Sequence, residues 1–387
     1  MYLKHIHLRQ FRNYKDQKVA FSAPKTILVG NNAQGKSNLL EGVELLSTLK
    51  SHRVSRDRDL ILDPKPLARI DATLERETGK VELALTLRSK GRRTVAVNGE
   101  TLRRQLDFLS ILNVVQFSSL DLELVRGSPE VRRHWLDRLL VQLEPVYSHF
   151  LQQYNQVLRQ RNALLKRFKP RGRGPDLPPV SIPKEELALW DSQLATAGAR
   201  VIRRRERVLE KLAPLARAWH QSISGSTEVL EVGYLANVAA SSDSIARDSL
   251  EGVRDAFLQK IQDRAIAEFY QGTTVVGPHR DDVVFTINDT PARQYGSQGQ
   301  QRTLVLALKL AELQLIERVV REPPLLLLDD VLAELDLNRQ NQLLEAISDR
   351  FQTLITTTHL GSFEVGWLDN TQILSVESGQ INSFLDF

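Results

Sequence analysis

The sequence predicts an α/β fold with a large helical insertion, and three observations carry that prediction. Residues Gly30-Asn31-Asn32-Ala33-Gln34-Gly35-Lys36-Ser37 form a glycine-rich loop between an apolar strand pattern and a helical one. An unbroken apolar run, Leu325-Leu326-Leu327-Leu328, ends in Asp329-Asp330 near the other end of the chain. Between them lies a long, polar, arginine-rich stretch of helical texture.

Composition bounds the rest. The chain has 387 residues, enough for one large domain or two ordinary ones, and 42% of them are hydrophobic. There is no cysteine, which excludes disulfides, thiolate metal sites and thiol nucleophiles and is consistent with a cytoplasmic home. Met1-Tyr2-Leu3-Lys4-His5 lacks the apolar run of a signal peptide. No stretch approaches the roughly 20 apolar residues of a membrane span, so no membrane partner is expected. A pI near 9.3 favours a polyanionic partner, although a net charge of +5 is thinly spread.

Taken in order, residues 1–29 alternate at Ile6 and Leu8, then at Val19 and Phe21, around Phe11-Arg12-Asn13-Tyr14. Two strands and a turn are expected, with Arg12 and Asn13 on a connection where they either touch nucleotide or face solvent. Thr26-Ile27-Leu28-Val29 is short, apolar and β-branched, a buried strand. The loop that follows fits G-x-x-x-x-G-K-[ST], and Asn38-Leu39-Leu40-Glu41 opens a helix. Strand, glycine-rich loop and helix are the context in which successive N–H groups cradle a polyphosphate. Lys36 then reaches the β- and γ-phosphates, and the Ser37 hydroxyl binds Mg²⁺.

Residues 51–115 begin with a charged loop at Ser51-His52-Arg53, Arg56, Asp57 and Arg58. Ile70–Leu74, Val81–Leu87 and Thr94–Val97 alternate as antiparallel strands do, with Asn98-Gly99 as a hairpin turn. Val114-Val115-Gln116-Phe117 is an apolar strand carrying one glutamine.

From Ser128 long helices are expected at Pro129–Leu143, Val146–Arg167 and Leu187–Leu215, broken by the Pro/Gly/basic stretch 169–183. Residues 151–217 hold 15 Lys/Arg against 6 Asp/Glu, including Arg200, Arg203, Arg204, Arg205 and Arg207. Two readings stand for that run, a solvated helical face and a nucleic-acid contact. At 1.5 Å per residue each helical leg spans less than roughly 90 Å, a lobe and not a coiled-coil arm. Ser222–Ser244 reads as irregular, and Leu250–Tyr270 as helix. Gly277-Pro278-His279-Arg280-Asp281-Asp282 reads as a turn with capping carboxylates ahead of a strand at Val283–Ile287, more readily than as a metal site.

Ser297 with Gln300 three residues on is a capping box, so a helix starts there and runs through Thr303–Val320. Its apolar body makes it buried, and the N–H groups around Ser297, Gly299 and Gln300 suit a phosphate. Leu325–Leu328 is a parallel strand buried on both faces. Its closing carboxylates sit where open α/β sheets bind ligands, Asp329 as the Mg²⁺ partner and Asp330 as general base. Glu334-Leu335-Asp336 follows, and Leu354–Thr358 is a second such strand ending in His359, which reads as a γ-phosphate sensor.

Lys36 and Asp329 are separated in sequence by a whole helical lobe, an order that resembles the ATP-binding-cassette class. Within it the chain resembles the RecF family, recombination-mediator ATPases related to the heads of SMC and Rad50 proteins. The matching segments are Phe11–Tyr14, Gly30–Asn38, Ser128–Arg133 with Asp137, Gly277–Asp282, Ser297–Arg302 and Leu325–Asp336. The resemblance implies an ABC-type P-loop ATPase head, with a mixed sheet and antiparallel N-terminal strands, made of residues 1–125 and 275–387. A helical lobe, 126–274, is inserted between the phosphate loop and the Walker B strand. It further implies Gln116 as the cassette glutamine near the metal, and ATP and Mg²⁺ as cofactors. The implied activity is ATP-dependent DNA binding at duplex, single-strand and gap junctions, with weak DNA-stimulated hydrolysis and a homodimer formed on ATP. RecR and RecO are the implied partners, and RecA an indirect one. Asp330 stands where transporter cassettes commonly have glutamate, and its shorter side chain fits slow turnover. An ATPase subunit of a membrane transporter shares the motif order and is the rival reading.

Overall fold

Two strand patterns in the sequence become two large sheets. The structure, a computed structural model, describes residues 1–169, 184–225, 227–238, 249–332, 335–347, 350–363, 368 and 370–383. The alternating segments give an antiparallel sheet. Its strands are β1 (Tyr2–Phe11), β2 (Tyr14–Ala20), β4 (Leu67–Arg76), β5 (Gly79–Arg88), β6 (Thr94–Val97) and β7 (Glu100–Thr101), in the order β2-β1-β4-β5-β6-β7. The continuous apolar segments give the central sheet, in the order β15-β14-β3-β13-β12-β8. There β3 (Lys25–Val29), β8 (Val114–Ser118), β12 (Leu325–Asp329), β13 (Thr353–Thr357) and β14 (Thr371–Glu377) run parallel, and β15 (Gln380–Ser383) closes the edge antiparallel.

Both faces of β8, β12 and β13 are covered, so these strands are buried almost along their whole length. Leu28, Val114, Leu325, Leu327 and Leu354 pack with the antiparallel sheet and with α1 (Lys36–Thr48). Their neighbours Ile27, Val115, Phe117, Leu326, Leu328 and Ile355 pack in a second cluster with the helices. Those helices are α2 (Pro129–Leu143), α3 (Val146–Phe168), α4 (Lys184–Ser224), α5 (Leu250–Gln271), α6 (Gln298–Val320) and α7 (Leu337–Ile347). The phosphate-loop helix α1 and the buried helix α6 therefore lie on opposite faces of one sheet.

Two expectations fail here. Residues 222–244 are not irregular throughout: β9 (Leu230–Leu235) pairs antiparallel with β10 (Asp282–Ile287), which also pairs with β11 (Thr290–Pro291). A six-residue strand interrupted by Gly233 carries weak local signal, and its partner lies about fifty residues away. The helix expected to end near Leu215 runs through Pro214 to Ser224. Leu212, Leu215, Ala216 and Ile223 are buried in the helical core, and that burial holds the chain helical past a residue that cannot donate its backbone bond. The Pro/Gly/basic break falls mainly on 170–183, outside the described residues, as does Glu334.

Candidate nucleotide site

The phosphate loop is built by its own backbone and clamped from three sides. Gly35 has φ +123, and a Cβ there would stand 2.8 Å from Asn13 Nδ2 and 3.0 Å from Tyr14 Oη, so only glycine fits. Asn13 donates to the Gln34 carbonyl (2.8 Å) and accepts from Asn38 (2.8 Å), tying the turn after β1 to the loop and to α1. Tyr14, fully buried, donates to the Gly35 carbonyl (2.8 Å). The turn between β14 and β15 closes the third side: Ser378 N donates to Gln34 Oε1 (2.6 Å) and Gly379 N to the Gln34 carbonyl (3.0 Å). Ala33 has positive φ, and Asn31, Asn32 and Ala33 are exposed along the loop. Lys36 is buried, its ammonium donating to the carbonyls of Gly30 (2.7 Å) and Asn31 (3.1 Å). Tyr14 and the β14–β15 turn are the parts that sequence reasoning missed. Tyr14 follows Arg12-Asn13, but nothing local shows that its hydroxyl reaches a loop 21 residues on.

The strand ends bring the remaining groups to the loop. Register pairs Asp329 with Thr356 on one side and Ser118 on the other, and Thr357 with Val29. Ser37 Oγ donates to Asp329 Oδ1 at 2.7 Å across 292 residues, and Thr356 Oγ1 donates to the same oxygen at 2.8 Å. The Asp330 backbone, at φ +55, donates to Thr356 Oγ1 (2.9 Å). Burial raises the Asp330 carboxyl above the ordinary aspartate range; Lys36 opposes that and Asp329 adds to it. His359 is exposed at the end of β13, its Nδ1 2.9 Å from Thr358 Oγ1.

Two residues point elsewhere. Gln116 is buried in mid-strand opposite Leu327, and its amide, oriented to satisfy its neighbours, donates to both Glu44 carboxylate oxygens at 3.2 Å. Glu44 also holds His52 (2.5 Å) and Arg138 (2.8 Å). Here the Gln116 amide is therefore held by a buried carboxylate two turns along α1. Arg12 spends its guanidinium on Glu41, at 2.8 Å from both Nε and Nη2, and on the Asp59 carbonyl (2.9 Å), so it braces α1. The side chain that meets the phosphate loop is its neighbour Asn13.

Across the sheet, Ser297 caps α6 in the anticipated box: its Oγ accepts from Gln300 N (3.2 Å) and its N–H donates to Gln300 Oε1 (2.8 Å). Gln300 Nε2 donates to Glu228 (2.8 Å). Arg339, ion-paired with Asp336, donates to the Gly299 carbonyl (3.2 Å) and Thr303 (2.9 Å). The helices that carry this exposed cap and the phosphate loop pack on opposite faces of the sheet.

Comparison with known proteins agrees with that architecture. Residues 2–382 match the family described as RecF/RecN/SMC N terminal domain. The DNA replication and repair protein RecF of Trichodesmium erythraeum is 75% identical over the whole of both chains. The chain belongs to the RecF family of DNA replication and repair proteins. RecF of Nostoc punctiforme is 68% identical over 98% of this chain and 99% of its own. The solved recombination mediator protein RecF of the RecFOR pathway, with ATP or ATPrS, is 32% identical over 99% of this chain and 98% of its own, with a TM-score of 0.88. An SMC head from Pyrococcus furiosus, 17% identical over 99% of this chain and 96% of its own with a TM-score of 0.54, shares the fold.

In this RecF-family chain the segment Gly277–Asp282 locks the helical elements together. Asp281, fully buried, accepts from Tyr234 Oη and from Asn237 N (2.6 Å). Asp282 takes both arms of Arg132 (2.6 and 3.0 Å). His279 sits between Tyr154 Oη (2.6 Å) and the Thr274 carbonyl (3.1 Å), and burial lowers its pKa to about 4. Arg205 is buried against Asp137 (2.9 and 3.0 Å) and the Pro278 carbonyl (2.7 Å). Arg203 is buried with Glu206, and Arg204 pairs with Glu144 and stacks on Phe150. Neither the solvated face nor the nucleic-acid contact that the arginine run allows describes Arg203, Arg204 and Arg205, which α4 turns onto Glu206, Glu144 and Asp137. Arg207 is exposed, as are Arg159, Lys166, Arg167, Lys169, Lys211 and Arg217 elsewhere in residues 151–217.

Proposed function

We propose that the chain binds ATP and Mg²⁺ at the loop Gly30–Asn38, closes on DNA as a two-fold dimer, and reopens after slow hydrolysis. The observation that carries this is the Ser37–Asp329 hydrogen bond of 2.7 Å, which unites the two halves of the site. Ser37, Asp329 and Thr356 offer hydroxyl and carboxylate oxygens, the donor set a hard divalent cation prefers. Ser37 and Asp329 are the residues that would hold Mg²⁺, and the ion would neutralise charge on the β- and γ-phosphates. Lys36 supplies a fixed ammonium at the loop, Asp330 is the base that takes the proton of the attacking water, and His359 stands by the strand end as the γ-phosphate contact.

The cap at Ser297, Gly299 and Gln300 lies on the other face of the sheet from its own loop, so in this reading it serves the loop of a second copy. Segment 126–274 is the lobe inserted into the head, 1–125 and 275–387, and its Glu228 holds Gln300 of that cap. That the solved relatives are named for the RecFOR pathway supports RecO and RecR as partners, and recombinase loading is the outcome this reading expects. Neither the relatives' names nor the fold supports a transporter subunit.

The test is sizing by light scattering and gel shift on duplex, single-stranded and gapped DNA, with and without ATP. Wild type should dimerise and bind DNA only with ATP, and Asp330→Asn should accumulate the closed, DNA-bound dimer. A chain that stays monomeric with ATP, or binds DNA equally without it, defeats the reading.

A further inference from the structure

With Arg203, Arg204 and Arg205 engaged on carboxylates, a second concentration of exposed positive charge stands out away from the lobe. Residues 50–59 and 88–104 together hold ten Lys/Arg against three Asp/Glu, an excess of seven where the entire chain has +5. In the first segment Lys50, Arg53, Arg56 and Arg58 are exposed. In the second Arg88, Lys90, Arg92, Arg103 and Arg104 are exposed.

Topology gathers them. Arg88 ends β5 opposite Leu67, Thr94 opens β6 opposite Thr86, and Leu102 N bonds the Val95 carbonyl (2.9 Å) just past β7. All five cations of the second segment therefore sit at one end of the antiparallel sheet. Arg93 stitches the first segment to that end, donating to Asp57 (3.0 Å) and to the Leu49 carbonyl. It also consumes the charge of Asp57. The same sheet end carries the turn after β1, since Arg9 pairs with Arg69. Arg53 reaches Asn38 (3.0 Å), Asn38 reaches Asn13 (2.8 Å), and Asn13 holds the loop carbonyl of Gln34 (2.8 Å).

We infer that this rim is a docking surface for the phosphate backbone of duplex DNA, linked to the ATP site through Arg53, Asn38 and Asn13. It rests on the DNA-binding reading above. A duplex is the occupant because neither segment contains Phe, Tyr or Trp. Unpaired bases are held by stacking on such rings, whereas a duplex backbone asks only for spaced cations. The link to Asn38 lets phosphate contact bias the loop toward its nucleotide-bound form, which gives DNA a route to stimulate hydrolysis.

The test compares Arg56→Glu/Arg92→Glu/Arg104→Glu with the lobe control Arg207→Glu/Lys211→Glu. Duplex affinity is measured by fluorescence anisotropy with ATP over a salt series, and nucleotide affinity by a fluorescent ATP analogue. The rim variant should bind nucleotide as wild type does. Its log affinity against log salt should flatten by about 2 to 3, near 0.9 per lost phosphate contact. An unchanged slope with nucleotide binding intact overturns the inference, as does a slope that flattens only in the lobe control. Loss of single-stranded binding with duplex binding kept, or loss of an acidic protein partner with DNA binding kept, overturns it in favour of those occupants. A wild-type chain that holds no DNA at all overturns the underlying reading instead.

Discussion

At the scale of residues, the site depends on charges whose burial is already matched. Lys36 is buried among loop carbonyls, so Lys36→Ala should abolish both ATP-driven dimerisation and hydrolysis. Lys36→Arg should keep part of the binding but lose turnover, because a planar fork cannot occupy the place of a compact ammonium. Wild-type phosphate release by Lys36→Ala would remove the assignment. His279 offers a pH test of the lock between lobe and head. Its pKa falls from an ordinary 6.5 to about 4, so the folded state resists its protonation. That contribution is present above pH 6.5 and is lost as pH falls toward 4. At pH 5 the loss comes to about 2 kcal/mol by linkage. Unfolding free energies from denaturant titrations at pH 7 and 5 should differ by that much more in wild type than in His279→Gln. Equal differences in the two proteins would leave His279 without this role.

At the scale of elements, the cap of α6 is a device with separable parts. Ser297 presents the helix N-terminus, Gln300 fixes it, and Glu228 fixes Gln300 at 2.8 Å. Gln300→Glu sets two carboxylates against each other and should weaken ATP-driven dimerisation about tenfold, the worth of one such hydrogen bond. It should leave nucleotide binding by the monomer intact, since the loop lies across the sheet. Adding Glu228→Gln restores a donor–acceptor pair and should recover dimerisation. Failure of the double variant to recover would show that the contact does not set the cap. The elements themselves were largely readable. The strands at 70–97 and the helices at 129–168 follow from alternation and helical periodicity, which are local. The strand Leu230–Leu235 was not readable, because it is a strand through pairing with Asp282–Ile287.

At the scale of the whole molecule, the phosphate loop and the cap at Ser297 belong to helices on opposite faces of one sheet, and the proposed dimer would make each chain half of two sites. Ser297→Arg should bind ATP as a monomer yet neither dimerise nor hydrolyse. Mixing Ser297→Arg with Lys36→Ala chains lets each mixed pair build one complete site, from the Lys36 of one and the Ser297 of the other. Phosphate release by the mixture should rise above both parents. A Ser297→Arg chain that dimerises on ATP with normal turnover would refute the shared site.

The sequence alone determined the phosphate loop, the buried strand ending in Asp329-Asp330 and the cap at Ser297. Each is set by backbone chemistry within a few residues: glycine where φ is positive, an apolar run where both faces are covered, a serine and a glutamine three apart. Tertiary structure decided what each long polar side chain does. Gln116 turns to Glu44, Arg12 to Glu41 and Arg205 to Asp137, and the basic rim is left in water. An arginine's role is fixed by the carboxylate within its reach, and these partners lie tens of residues away in sequence.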